Sequence, residues 1–582
     1  MYENQPWLKH YGETPVSLNY PELSMYAMLK KSCEQSPNDG ALVFFGKKTT
    51  RARLDERIIR ISRRFAQIGI EKGDMVIVCL PNIPQAVVAF YALNRMGAIP
   101  APVHPLSTAP EIEAYAKLVS AKAAITLDDF FPRFSGIIKS AVLKKVIVCS
   151  IKPELGFPAK IKYSFGSGRK IKPVPYSDTV VNWAKLESQE NLPEPETPDV
   201  TASSDSAVSP DSTASGEMAL ILFSGGTTTQ PKAVMLTDRN CNVLAMQMSA
   251  AGGPIVPGDK MLSILPLFHG FGFVVGIHSF LINGGICILI PKFRADAAAN
   301  LVKKYKPQFM AAVPSLYDAL AADKNFCKVP LTSFKGFFCG GDLLNPESKK
   351  RFEIVLRKGG SNAMLREGYG LAETVTACTI TPRNEYRERT IGIPCPDNWL
   401  KVVKTGTQEE CAAMEEGEIC VSGPAIMLGY YNDQDATDEV LKKHDDGRIW
   451  LHTGDIGCMD DDGFFYFKQR SKRIIKTSGM AVNPSNIEDV LNRHNAVHSS
   501  CVIGVPDAAY GEAPKAFVQL NSSYYATEDL KREIIENCKR QLVPYSCPQI
   551  IEFIDEMPKT LIGKVAYREL EERERNLWGR AQ

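Results

Sequence analysis

Short, wholly apolar runs alternate with longer amphipathic ones along most of this chain. Residues 76–80 (Val-Ile-Val-Cys-Leu) and 146–149 (Val-Ile-Val-Cys) carry no polar position, the pattern of strands buried on both faces. Residues 98–103 form a weaker strand candidate, because Pro100 and Pro102 cannot donate to a ladder. Helical stretches at Pro84–Arg95 and 111–120 separate these runs, and Pro84 suits a first helical position, where a missing N–H costs nothing. The same rhythm returns at 261–265, 286–290 and 337–339. Strands alternating with helices predict an α/β fold of mainly parallel sheets covered by helices.

The pattern breaks twice. Residues 188–215 are rich in Pro, Glu, Asp, Ser and Thr and nearly free of large apolar side chains, which predicts a flexible insertion. A second break falls at the polar run 469–473 (Gln-Arg-Ser-Lys-Arg). Beyond it, a helix starting at 487–491, strands at 500–505 and 516–520, and a helix at Glu528–Gln541 predict a small α+β domain. The expected organisation is therefore a large N-terminal domain over 1–469 and a small C-terminal domain over 470–582.

At 582 residues the chain is too long for one core. A net charge of +2 offers no global field for nucleic acid or an anionic membrane. The 15 cysteines lack C-x-x-C pairs, which argues against metal cages and a disulfide framework and for a reducing, cytoplasmic setting. The nearest approach to a membrane span, 271–290, is interrupted by His278, Asn283, Gly284 and Gly285. It is expected to be a buried helix, a turn and a buried strand.

Against this background residues 220–234 stand out. An apolar strand runs into Ser224, Gly225, Gly226, Thr227, Thr228 and Thr229, and Pro231-Lys232 closes the loop. Glycines admit backbone N–H groups close to an anion, and hydroxyls and a lysine add donors and charge, as polyphosphate binding requires. Four further segments carry chemistry. In 366–374 a Tyr between glycines, Tyr369, can present a flat face to a base, and the Glu373 carboxylate suits Mg²⁺. In 450–455 Asp455 sits on a tight turn. The other two are 469–479 and 558–564, the latter ending in Gly563-Lys564. Lesser candidates are a loop at 166–170 (Gly-Ser-Gly-Arg-Lys), expected to be surface, His278, expected to be a satisfied core histidine, and 460–463 (Asp-Asp-Asp-Gly), expected to be a hairpin turn.

In order and spacing this set resembles the adenylate-forming superfamily of acyl-CoA synthetases, luciferases and peptide-synthetase adenylation domains. Residues 266–270 (Pro-Leu-Phe-His-Gly), 340–342 (Gly-Gly-Asp), 417–419 with 429–431, and 543–545 fall where that family has motifs. The pair Gly225-Gly226, the opening at 6–9 (Pro-Trp-Leu-Lys) and 367–371 (Glu-Gly-Tyr-Gly-Leu) are most similar to bacterial long-chain fatty acid–CoA ligases. The resemblance implies two half-reactions: a carboxylate attacks the α-phosphate of MgATP to give acyl-AMP and pyrophosphate, then CoA displaces AMP. It implies that Thr227, Thr228, Thr229 and Lys232 wrap the outer phosphates, with Ser224, Gly225 and Gly226 shaping the loop. Gly341, Tyr369, Gly370 and Ala372 would frame the adenine and α-phosphate, Glu373 would bind Mg²⁺, and Asp455 with Arg470 would take the ribose hydroxyls. Lys564 would bridge carboxylate and α-phosphate, and His269 would border the acyl pocket. Lys472 would be the pivot of a mobile small domain that brings Lys476 and Gly479 to the thiol tunnel; Lys476 reads equally as an exposed strand lysine.

Four positions depart from the family pattern: Ala372 replaces a Thr before the Mg²⁺ glutamate, Thr229 replaces a Gly, Ala233 replaces a Gly, and Gln469 replaces the Asp or Gly before the hinge Arg470. Ala372 also occurs in fatty acyl-AMP ligases, which pass the acyl group to a carrier protein. Apolar residues at 268, 271, 273–275, 311, 313 and 317 favour a fatty or aromatic acid over an amino acid. The leading expectation is an acyl-CoA synthetase for a medium- or long-chain fatty acid. An acyl-AMP ligase, an aryl-CoA ligase and a silent adenylate binder are the alternatives.

Overall fold

The computed structural model describes residues 5–140, 142–188, 216–224, 231–470, 473, 475–477, 480–482, 484–507, 511–560 and 565–578. The expected insertion at 188–215 lies almost wholly outside them. The chain divides into two compact units: Met1–Leu400, Val421–His452 and Asp462–Phe464 form the first; Lys401–Cys420, Thr453–Asp461 and Phe465–Gln582 form the second.

The first unit holds two large sheets. One is entirely parallel, in the order Ile99–Pro102, Met75–Cys79, Ala123–Leu127, Lys145–Cys149, Val180–Asn182. The proline-bearing strand is at its edge, where the N–H groups that Pro100 and Pro102 lack would have had no partner strand. The other has nine strands. Its six central ones are parallel, in the order Leu365–Tyr369, Gly336–Cys339, Phe309–Ala312, Lys260–Ser263, Ile286–Leu289, Gly40–Phe44.

Strand alternation sorts the apolar residues into three layers. Val76, Val78, Ile125 and Ile147 of the first sheet share one core with Met261, Leu289, Phe309 and Ala311 of the second. The alternate residues Ile77, Cys79, Ala124 and Val146 face a second core. Leu262, Met310, Ala312, Phe337 and Leu365 face a third, beneath the helices Pro314–Ala322 and Pro346–Lys358. Because both faces are covered, the strands read as unbroken apolar runs, as expected. The helix Pro84–Arg95 forms over its expected range and is buried along its whole length but for its last residue.

The stretch 271–290 is a π-helix Phe271–His278, a helix Ser279–Ile282, a turn and the strand Ile286–Leu289. Among the described residues no helix is long and apolar enough to cross a membrane. His278 is fully buried between the Tyr91 hydroxyl at 2.9 Å on Nδ1 and Asn242 Oδ1 at 2.8 Å on Nε2. Burial pushes its pKa down to about 3, so it is a neutral, satisfied core histidine.

In the second unit, Met480–Val482, Ile475–Thr477, Gly511–Leu520 and Val497–Asp507 are ordered in that sequence, and Ile550–Phe553 joins Gly511–Leu520. The helices Pro484–Asn492 and Glu528–Gln541 pack on one face through Ile487, Val490, Leu491, Leu530 and Ile534. Residues 455–459 pair antiparallel with Phe465–Arg470. The run 460–463 is the intervening turn, with Gly463 at φ 87°.

Candidate active site

All six central strands of the nine-stranded sheet point the same way, so their carboxyl ends share one edge, the usual ligand-binding edge of a parallel sheet. The predicted segments 266–270, 340–342 and 369–374 all leave strands on that edge. Gly341 follows Gly336–Cys339 with φ 87°, a conformation that favours glycine. Tyr369 ends the neighbouring strand, and its carbonyl accepts from Cys378 N at 2.8 Å. A Cβ on Gly370 would lie 2.4 Å from Thr376 O, so only glycine allows the chain to turn back there.

Ala372 and Glu373 lie on the one-turn helix Ala372–Thr374. The next residue, Val375, is held at φ 62°, a strained state for a β-branched residue. Gly270 packs on it: a Cβ there would sit 2.0 Å from Val375 O. Close packing of two backbones thus joins the His269 loop to the Glu373 turn. His269 Nδ1 accepts from Phe271 N at 3.1 Å at the start of the π-helix, which leaves Nε2 as the protonated ring nitrogen.

The strands Met218–Ser224 and Lys232–Thr237 form the hairpin that carries the Thr-rich loop, with Ser224 paired to Lys232 at its mouth. Ser224 Oγ donates to Lys232 O at 3.5 Å. Gly225, Gly226, Thr227, Thr228 and Thr229 lie outside the described residues. On the far side of Lys232–Thr237, Gly429–Tyr430 adds a third strand, with Tyr430 opposite Val234. This pairing assembles the centre of the site. Lys232 Nζ lies 4.4 Å from the Tyr430 ring centroid, a cation–π contact. The Tyr430 hydroxyl donates to Glu373 Oε1 at 2.7 Å. Met427 N donates to Glu373 O at 2.9 Å. Lysine, tyrosine and glutamate, distant in sequence, form one polar chain at the mouth of the loop.

Tyr430 has no role in the sequence reading beyond membership of a motif. Asn82 was missed altogether. Its amide donates to Ser263 O at 3.1 Å and Leu265 O at 2.7 Å, and its Oδ1 accepts from Leu267 N at 2.9 Å. One buried asparagine at the end of a strand of the first sheet thereby fixes the segment leading to His269. Its position just past a parallel strand was the available signal. Glu367, two residues before Tyr369, is held with its pKa pushed up to about 7 by burial, against the lowering effect of Lys349. Arg366 on the opposite face is structural, donating to Thr381 O, Gly252 O and Ala251 O.

Thr374 does not replace the hydroxyl missing at Ala372. It is buried, and its Oγ1 both accepts from Leu371 N and donates to Leu371 O at 3.1 Å. Of the expected apolar lining, Phe273 packs against Phe90 with the rings tilted by 31°, and Tyr317 donates to Phe338 O at 2.7 Å, both fully buried.

In the second unit, Asp455 is buried and paired with Arg470, Nε to Oδ1 3.1 Å, directly across the strand pair. Lys476 stands opposite Ala481 in a two-stranded pair. Lys472, Gly479 and Lys564 lie outside the described residues.

Fold and site together define an AMP-binding enzyme: residues 29–431 match that family and 486–564 match the AMP-binding enzyme C-terminal domain. The chain belongs to this family. It is 32% identical to a long-chain-fatty-acid–CoA ligase of Bacillus subtilis (strain 168), over 99% of each chain. It is 32% identical to the ligase of the same name from Salmonella typhimurium, over 98% of each. Among solved structures, ATP-bound MatB from Rhodopseudomonas palustris shares the fold at a TM-score of 0.78 and 22% identity, over 95% of this chain and 99% of that one. The anthranilate CoA ligase AuaEII in complex with anthranoyl-AMP does so at 0.78 and 20%, over 98% and 99%.

Proposed function

We propose that this chain is an acid–thiol ligase, an AMP-forming acyl-CoA synthetase whose acid is a medium- or long-chain fatty acid. The full-length likeness to two long-chain-fatty-acid–CoA ligases is the observation that carries this reading. A carboxylate oxygen attacks the α-phosphorus of ATP and pyrophosphate leaves. The CoA sulfur then attacks the acyl carbon, and AMP leaves with the carboxyl oxygen. Catalysis of this kind rests on placement and charge, with no enzyme nucleophile. The burial of most cysteines supports that: desolvation pushes the thiols of Cys33, Cys79, Cys287 and Cys395 up to about 12.

Lys232 brings a positive charge to the mouth of the phosphate loop, and Tyr430 orients both that lysine and Glu373. With one oxygen turned to Tyr430, the Glu373 carboxylate fits a hard cation, and Mg²⁺ held there would neutralise phosphate charge. Tyr369 and Gly341 suit an adenine, and the Asp455–Arg470 pair suits ribose hydroxyls. By likeness to the family, Lys564 serves the first half-reaction, Lys472 is the pivot between domains 1–469 and 470–582, and Lys476 and Gly479 serve the second. We place the enzyme in the cytoplasm, where thiols stay reduced.

One observation favours a second reading. With Ala372 in place of Thr and the Thr374 hydroxyl committed to Leu371, a fatty acyl-AMP ligase passing its product to an acyl carrier protein is the alternative. Mass spectrometry of products from MgATP and acids from acetate to palmitate, with and without CoA, decides. Acyl-CoA formed only with CoA establishes the synthetase; acyl-AMP that accumulates and ignores CoA establishes the alternative. Lys564→Ala is expected to abolish acyl-AMP formation yet leave thiolysis of supplied acyl-AMP measurable.

A further inference from the structure

The helix Phe157–Phe165, which ends just before the 166–170 run read above as a surface loop, has an inverted pattern. Its Ala159 and Tyr163 pack on the core of the first unit. On the opposite face Phe157, Ile161 and Phe165, spaced i, i+4, i+8, are 79%, 45% and 76% exposed. A fourth apolar side chain lies alongside. Phe45, 52% exposed at the tip of the hairpin Gly40–Phe44/Lys47–Thr50, has its carbonyl 3.4 Å from where a Cβ on Gly156 would sit. Among the described residues these three are the exposed phenylalanines, and they share one place.

The exposed charges on the helix and on the segments just before and after it are cations. Lys160 and Lys162 flank the apolar stripe on its two sides, and Lys152, Arg169, Lys170 and Lys172 are exposed just before and after the helix. The one acidic residue within 152–172, Glu154, is buried and neutralised by Arg57. Asp128, half-buried, and Asp129, exposed, stand near Tyr163, which lies on the helix face away from the stripe. Lys47, beside Phe45, is turned to Pro153 O at 2.9 Å and Glu154 at 3.7 Å and so adds no free charge to the rim. An apolar stripe lined by lysines is the form of a helix lying in a bilayer interface, rings among the acyl chains and ammonium groups at the headgroups.

We infer that the helix Phe157–Phe165, with Phe45, docks this protein on the surface of an anionic lipid bilayer. The inference goes beyond the proposed reaction and does not depend on it. A net charge of +2 conceals the patch, because the excess of cations is local.

The test is flotation of the full chain with phosphatidylcholine vesicles, with and without phosphatidylglycerol. The wild type is expected to float with the anionic vesicles and to release as salt rises. The triple substitution Phe157→Ser, Ile161→Ser, Phe165→Ser is expected to weaken binding at least about tenfold. Lys160→Glu with Lys162→Glu, which leaves the apolar stripe intact, is expected to weaken binding to anionic vesicles alone. Unchanged thermal melting shows that each variant folds. Flotation of the triple variant equal to wild type overturns the inference, as does a wild type that floats with neither vesicle. A wild-type dimer in light scattering that the triple variant dissolves, without vesicle binding, overturns it in favour of a second copy of this chain.

Discussion

The two parallel sheets of the first unit are built alike and used differently. In the five-stranded sheet, Met75–Cys79, Ala123–Leu127 and most of Lys145–Cys149 are buried, and its strand ends lend the site Asn82, and His104 packed edge-on against Phe268. In the nine-stranded sheet the carboxyl ends carry Gly341 at positive φ, Gly370 with no room for a Cβ, strained Val375, and the Glu373 carboxylate. The first sheet is stable packing; the second accepts strain and half-buried charge at one edge. The contrast teaches that parallel strands supply an edge, and that chemistry appears where backbone is forced close and polar groups are held against burial.

Substitutions at the two sheets test this contrast. Glu373→Gln is expected to lower acyl-AMP formation about a hundredfold with thermal stability unchanged, because it removes the negative charge that would hold Mg²⁺ against the phosphates; pyrophosphate release measures it. Tyr430→Phe keeps the ring under Lys232 but deletes the hydrogen bond to Glu373, and about a tenfold loss in the same assay is expected. Equal activity in that variant would separate the polar chain from catalysis.

Glu367 tests the cost of charge at the working edge. Its native pKa of about 7 lies above the ordinary 4.5, so the folded state binds the proton more tightly than the unfolded one. Stability is then lost as pH rises from 4.5 to about 7 and stays lower above that. Glu367→Gln is expected to be more stable than wild type at pH 8 by about 3 kcal/mol and to flatten this decline, measured by melting across pH. The smallest effect belongs to the packing sheet: Ile125→Val, fully buried, is expected to cost about 1 kcal/mol of stability and leave turnover unchanged.

Much of this was legible beforehand. Helices Pro84–Arg95 and Glu528–Gln541 form over their expected ranges, since a proline at the first helical position and an apolar stripe are local signals. The buried turnover of 271–290, the neutral His278 and the hairpin at 460–463 were read from the residues themselves. Tyr430, Asn82 and the exposed stripe of Phe157–Phe165 were not. Tyr430 meets Glu373 across 57 positions, and Asn82 meets Leu265 across 183. No periodicity encodes such meetings. The stripe escaped notice because Phe157, Ile161 and Phe165 look like any core-facing helix until the core is seen to take the other face.

The sequence by itself determined the α/β class, the apolar strands, the turns, and the inventory of nucleotide-handling groups, because these depend on side-chain chemistry over a few neighbouring residues. Only the tertiary structure decided that Lys232, Tyr430 and Glu373 form one chain, and which face of Phe157–Phe165 meets solvent. Those outcomes turn on strand pairing and layer packing between distant segments, where a hydrogen bond or a buried face exists only once the whole sheet has been assembled.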